Sequence, residues 1–347
     1  MIVRVLGSAA GGGVPQWNCA CTNCAAARSG PRRHRSQSSF AVSADGTRWW
    51  LVNTSPDVAQ QIEASPALQP RAGRGTPIAG MLFTDANVDH LGGLAVLRQA
   101  GEHAFEIYSS ATVRDLALQQ RSFSTFGNPP HRWNAVASGD VFTLDGVLNV
   151  RVVAVDGLTP GYAGREALPD AVVAYAVTDT ESGANVLFAP VFASVTESLL
   201  AAAARADVAF FDGSFWSDDE LGSVGVEKAA RALGHAPIGG PDGSLEALAA
   251  VAQRGPRYFA HLNNTNPLLD PSSPAFAEAR HRGFELAEDN LEVHLEGSPM
   301  SQDDLTEESI VEENDDAPVP EALDVVEPPI NLDADPEEGL SLPGRGA

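Results

Sequence analysis

Apolar positions come early in short runs and later alternate with helix-length stretches. Ile2 to Leu6 reads as an opening strand ended by Gly7. Phe40 to Val42 and Trp49 to Val52 read as a hairpin around the turn Asp45-Gly46. Ile78 to Phe83 is a buried strand, and further strands are predicted at 105–108, 147–153, 172–177, 186–188, 208–211, 258–261 and 291–295. Helical periodicity predicts helices over 58–64, with Ser55 before Pro56 as its cap, and over 111–119, 195–204, 226–233, 245–252 and 274–282. This order suits an α/β fold of two mixed sheets with helices outside, and the two halves of the chain loosely resemble each other.

The pattern stops near residue 300. Residues 301–347 hold 15 acidic residues, one basic residue and six prolines, with no aromatic side chain. Such a segment buries too little surface to offset its ordering entropy, so a domain over 1–300 and a disordered, acidic Pro-rich tail over 301–347 are expected. The tail accounts for −14 of the net charge of −24, leaving −10 for residues 1–300. Neither part offers a basic surface, which argues against nucleic acid and anionic membrane as partners. Met1 to Gly7 lacks a signal-peptide layout. No apolar stretch reaches the roughly 18 residues that would span a bilayer, so a cytoplasmic protein without membrane insertion is expected.

The three cysteines, Cys19, Cys21 and Cys24, are clustered. Three thiols within six residues suit a structural Zn(II), whose fourth ligand must come from far along the chain. The Gly-rich turn 7–13 is followed by Pro15 and these cysteines instead of an amphipathic helix, which argues against a phosphate cradle.

After the strand ending at Phe83 comes Thr84-Asp-Ala-Asn-Val-Asp-His90. Dinuclear metallohydrolases with a strand, loop and helix in this order carry His-x-His-x-Asp-His there. Here the first two positions are Asp85 and Asn87, and neither replaces an imidazole's affinity for zinc or iron. Asp89 and His90 can still hold one ion if a second histidine joins them. His261 ends an apolar strand and opens the polar run His261-Leu-Asn-Asn-Thr-Asn-Pro267, which makes it the candidate. Two histidines and one carboxylate suit Fe(II) in an oxygenase or Zn(II) in a hydrolase. Asp212, after the strand 208–211, reads as a ligand, a base or a loop-capping residue; with Asp85 and Asn87 it completes the catalytic candidates. His235 stands before a turn and fits a structural role as well as a site role.

Six segments together resemble the pyrroloquinoline quinone (PQQ) biosynthesis protein B family of the metallo-β-lactamase superfamily. They are Val5 to Cys24, Arg35 to Ser39, Thr84 to His90, Phe211 to Trp216, Gly239 to Leu245 and His261 to Pro267. They span nearly all of residues 1–300. The resemblance implies an αββα sandwich, a structural zinc on Cys19, Cys21 and Cys24, and an active-site metal on Asp89, His90 and His261. Related phosphodiesterases complete the cysteine site with a histidine where this chain has Asn264. Asn87 and Val191 depart from the Asp and Gly that members of the family more often carry. No bridging Asp follows strand 186–188, where Ala189-Pro190-Val191 stands, and this favours a single metal. The resemblance further implies an iron-dependent oxygenase acting with O2 on the tyrosine ring of a small Glu-Tyr-derived precursor, alongside other proteins of the PQQ pathway. Carriage of PQQ or its precursor toward the periplasm, or hydrolysis at a single zinc, are the alternative roles.

Overall fold

Strand residues alternate between two destinations, a shared interior and a covering layer of helices. Phe40 and Val42 turn inward while Ala41, between them, packs outward. This computed structural model describes residues 1–30, 32–252 and 254–297; the predicted tail lies outside the described residues.

The first half supplies β1 (Ile2–Gly7), β2 (Ser39–Ser43), β3 (Trp49–Val52), β4 (Ile78–Leu82), β5 (Glu106–Ser109) and β6 (Arg132–Ala135). The second supplies β7 (Val141–Leu144), β8 (Leu148–Ala154), β9 (Val173–Asp179), β10 (Asn185–Ala189), β11 (Val208–Asp212), β12 (Arg257–Ala260) and β13 (Phe284–Leu286), and β14 (Glu292–His294) returns to the first sheet. Two seven-stranded sheets result, ordered β14-β1-β2-β3-β4-β5-β6 and β13-β12-β11-β10-β9-β8-β7. Each contains three antiparallel pairings and then three parallel ones. The loose likeness of the two halves in sequence therefore has a structural counterpart.

Between the sheets, Phe40 of β2 meets Phe188 of β10 and Phe210 of β11 at ring-centroid distances of 5.2 and 5.0 Å. Burying each such ring contributes about 1.5–3 kcal/mol. Helices cover the outer faces: α1 (Thr22–Ser29), α2 (Val58–Glu63), α3 (Val88–Leu91), α4 (Leu94–Leu97) and α5 (Ala111–Gln119) come from the first half. The second half adds α6 (Glu197–Arg205), α7 (Ser244–Ala249) and α8 (Pro274–His281). Val58 and Val113 pack on the first sheet, and Leu199, Leu245 and Ala275 on the second. Three N-caps have clear side-chain acceptors: Ser110, Thr196 and Ser273 accept from the amides of Val113, Leu199 and Phe276.

Several expectations need correction. Residues 226–233 form no α-helix. Residues 226–228 are exposed, so there is no apolar face to bury, and the amides of Ala230 and Arg231 donate to Asp218 instead. Ser55 is not the cap of α2; its hydroxyl accepts from the Asp57 amide two residues on and donates to Gln61. Asp89 and His90 already lie inside the single-turn helix α3, and α4 follows as a separate single turn. Strands β6, β7 and β13 were not foreseen.

Candidate metal centre

The chemistry-bearing loops leave the C-terminal ends of β4, β11 and β12, where α/β sheets commonly place ligands. The Gly-rich loop after β1 reaches the same place. Ala10 N donates to Leu262 O and Leu262 N to Ser8 O, both at 2.9 Å, tying it to the end of β12. Gly11 lies against the site, and a Cβ there would stand 3.2 Å from Asp89 Oδ2.

In the loop after β4, Asp85 is fully buried and organises its neighbours. Its Oδ1 accepts from the amide and the side-chain Nδ2 of Asn87 at 2.9 and 2.7 Å. Its Oδ2 accepts from Thr84 Oγ1 at 2.8 Å and from His90 Nδ1 at 2.6 Å. The proton of His90 is thereby placed on Nδ1. Its Nε2 is buried and has no hydrogen-bond partner. A buried polar atom normally finds a partner, so this one marks a place for a ligand.

His261 arrives from the end of β12 with a left-handed backbone (φ 54°), a conformation of the kind that clusters at functional sites. Its Nε2 lies 3.1 Å from Asp89 Oδ2, and its ring centroid is 4.9 Å from that of His90. Asp89, His90 and His261 each offer one ligand atom, all within 4.8 Å of one another. The donor set fits one divalent cation.

A second group of the same kind holds Asp212, His235 and His261. Asp212 Oδ2 accepts from His235 Nδ1 at 2.7 Å and from the Phe192 amide at 3.3 Å. Its Oδ1 accepts from the amide and hydroxyl of Ser214 at 2.9 and 2.6 Å. Asp212 thus caps its own loop and also orients a histidine. Asp85 and Asn87 lie outside both groups, and Asn87 turns its side chain onto Asp85. Ser214 is the polar residue that the sequence did not single out. Its signal was the Asp-Gly-Ser run directly after an apolar strand. His34, His103 and His131 make contacts within the surrounding scaffold.

The carboxylates dominate the local field. Burial lowers the pKa of His90, but the charges of Asp85 and Asp89 overcome this and raise it to about 9. Burial raises the pKa of Asp89, and His90 and His261 reverse this to hold it well below the usual carboxylate range. A cation here would be held by ionised Asp89 and by His90, which would have to give up its Nε2 proton to bind it.

Cys19, Cys21 and Cys24 also lie within 4.8 Å of one another. Cys21 forms the N-cap of α1, and Cys24, inside that helix, is fully buried. Burial pushes the Cys24 thiol up to about 11. Asn264, three residues beyond His261, brings its Nδ2 to 3.1 Å from Cys19 Sγ and 3.5 Å from Cys21 Sγ. The Cys21 thiol donates to its carbonyl at 3.4 Å. Asn264 therefore stands beside the thiols, with its side-chain amide directed at the Cys19 and Cys21 sulfurs.

Two mixed sheets sandwiched between helices, with a metal-competent Asp-His loop at the strand ends, define a metallo-β-lactamase fold. Residues 48–261 match the beta-lactamase superfamily domain. The chain belongs to the coenzyme PQQ synthesis protein B family. It is 38% identical over 299 residues to the protein of that name from Ruegeria pomeroyi, covering 85% of this chain and 100% of the relative. The counterpart from Azoarcus sp. is 40% identical over 306 residues, with the same coverage. The crystal structure of Zn(2+)-bound PqqB from Methylobacterium extorquens superposes with a TM-score of 0.80 at 37% identity, covering 85% of this chain and 100% of that one. A diphosphatase of the PhnP family shares the fold, with a TM-score of 0.61 at 19% identity over 84% of this chain and 96% of that one. Among the described residues, no helix is long and apolar enough to cross a membrane.

Proposed function

We propose that this chain catalyses an oxygen-dependent step of PQQ biosynthesis, hydroxylating the tyrosine ring of a small Glu-Tyr-derived precursor at one metal ion on Asp89, His90 and His261. The observation that carries this reading is the buried, unpartnered Nε2 of His90 beside Asp89 and His261. Two imidazoles and one carboxylate are the donor set of mononuclear non-haem Fe(II) oxygenases, which leaves positions open for substrate and O2. Asn87 supplies no imidazole, and no carboxylate stands at Ala189 to Val191 to bridge a second ion. Bound here, Fe(II) supplies the one-electron chemistry with O2 that side chains lack. The chain's own groups hold and orient: Asp85 fixes the His90 ring, and Asp212 fixes that of His235. In the same reading a structural Zn(II) sits on Cys19, Cys21 and Cys24, beside Asn264.

The Zn(2+)-bound relative favours a second reading, a hydrolase in which one Zn(II) activates water. Anaerobically purified protein loaded with Fe(II), then given the precursor and isotopically labelled O2, separates the two. The oxygenase gives a product that gains the labelled atom. Turnover by the Zn(II) form without O2 uptake would establish the hydrolase. No turnover, with tight binding of the quinone that survives His90→Ala, would leave a carrier.

A further inference from the structure

His261 is fixed by more than the end of its strand. The segments around residues 213 and 261 are stitched together. Gly213 N donates to Ala260 O at 2.7 Å, and Asn263 N donates to Ser214 O at 3.2 Å. The Asn266 side chain donates to Gly213 O at 2.8 Å. Gly213 is needed for this approach, since a Cβ there would lie 2.5 Å from the Ala260 carbonyl oxygen. The stitching delivers the Ser214 hydroxyl, 1% exposed, to His261 Nδ1 at 2.7 Å.

Hydrogen counting then settles direction. Ser214 has one hydroxyl hydrogen, and ionised Asp212 has none to give. The 2.6 Å contact with Asp212 Oδ1 therefore consumes the serine hydrogen. His235 Nδ1 donates to the other carboxylate oxygen, with Ser214 Oγ 3.0 Å away. What remains at Ser214 is an acceptor, so His261 must donate from Nδ1. That reserves Nε2 for a cation instead of a proton shared with Asp89 Oδ2, 3.1 Å away. Asp85 does the same for His90 directly, without a hydroxyl between.

We propose that Ser214, backed by Asp212, is a positioning residue that fixes the tautomer and ring plane of His261 for metal binding. The inference rests on the reading that His261 holds the metal. Orienting partners of this kind change metal affinity about 10–100-fold when removed.

The test uses the full chain and Zn(II) as the probe, with affinity read by chelator competition at one pH. Ser214→Ala should weaken binding by about 10–100-fold, and Ser214→Thr, which keeps the hydroxyl, should restore most of it. In Zn(II)-loaded protein labelled with ¹⁵N-histidine, the wild type should show a protected proton on His261 Nδ1, and Ser214→Ala should lose that protection. Wild-type affinity in Ser214→Ala, or equal losses in the Ala and Thr variants, would overturn the proposal. If neither variant folds, a His261 protonated at Nε2 in the wild-type protein overturns it alone. His261→Ala separates the two layers. If that variant still binds a zinc ion beyond the one the cysteines hold, the ligand assignment fails. If it loses that second ion while Ser214→Ala does not, only the role of Ser214 fails.

Discussion

Asp85 accepts from His90 Nδ1 across 2.6 Å, and both side chains are wholly buried. At the position where a dinuclear hydrolase has its first histidine, this chain has a carboxylate that holds the ring of His90. Asp85→Asn keeps the shape and removes the charge. Metal affinity should fall about 10–100-fold by chelator competition, with the fold intact by circular dichroism. An unchanged dissociation constant would mean that Asp85 does not prepare His90 for a cation.

Asn87 donates to Asp85 Oδ1 from both its amide and its side chain. Asn87→Asp replaces a donor at 2.7 Å from the Asp85 carboxylate with a like charge. The metal-free variant should lose about 1–3 kcal/mol in denaturant unfolding. Divalent cations should stabilise it more than they stabilise the parent. Equal stability of the two proteins without metal would show that the loop relaxes to separate the carboxylates.

The fold was legible where apolar residues run unbroken or alternate, as in β1, β2, β3 and β8 to β12. It was not legible at three of the four sheet edges, β6, β7 and β13, whereas the edge strand β14 falls within the predicted strand 291–295. β6 reads Arg-Trp-Asn-Ala and is never fully buried, and β13 is three residues long. The helical pattern over 226–233 misled because periodicity does not reveal that Asp218 takes the backbone donors there. In the site, Asp89-His90 and His261 stood out because each follows an apolar strand and opens a polar loop. The link from Ser214 to His235 and His261 did not, because its partners lie 21 and 47 positions away in sequence: His261 is brought in by the parallel pairing of β11 with β12, and His235 by a loop held through Ala236 N to Phe192 O and Ile238 N to Phe215 O.

The cysteine cluster gives a prediction independent of the catalytic reading. With three thiols and Asn264 around one point, Cys21→Ser should abolish stoichiometric zinc at this site. It should also lower Tm, by about 2–4 °C for each kcal/mol lost. Asn264→Ala should loosen zinc without abolishing it. Zinc content and Tm that both match the parent in Cys21→Ser would remove the structural metal from the account.

Glu220 links stability to pH from outside the ligand set. It is 8% exposed, its Oε2 accepts from the Trp216 amide at 2.6 Å, and its Oε1 accepts from the Thr265 hydroxyl at 2.5 Å. Burial outweighs these hydrogen bonds and raises its pKa from 4.5 to about 7. The folded state therefore holds the proton more tightly than the unfolded chain does. The stability this contributes is fully present below about pH 4.5 and is lost as pH rises through about 7. Its full size is about 3 kcal/mol, taking 1.36 kcal/mol for each unit of pKa. Glu220→Gln keeps the shape and removes the titration. In denaturant unfolding at pH 5 and pH 7.5, the parent should lose ground to the variant as pH rises, narrowing or reversing any gap seen at pH 5. Parallel changes in the two proteins would show that Glu220 titrates alike in the folded and unfolded states.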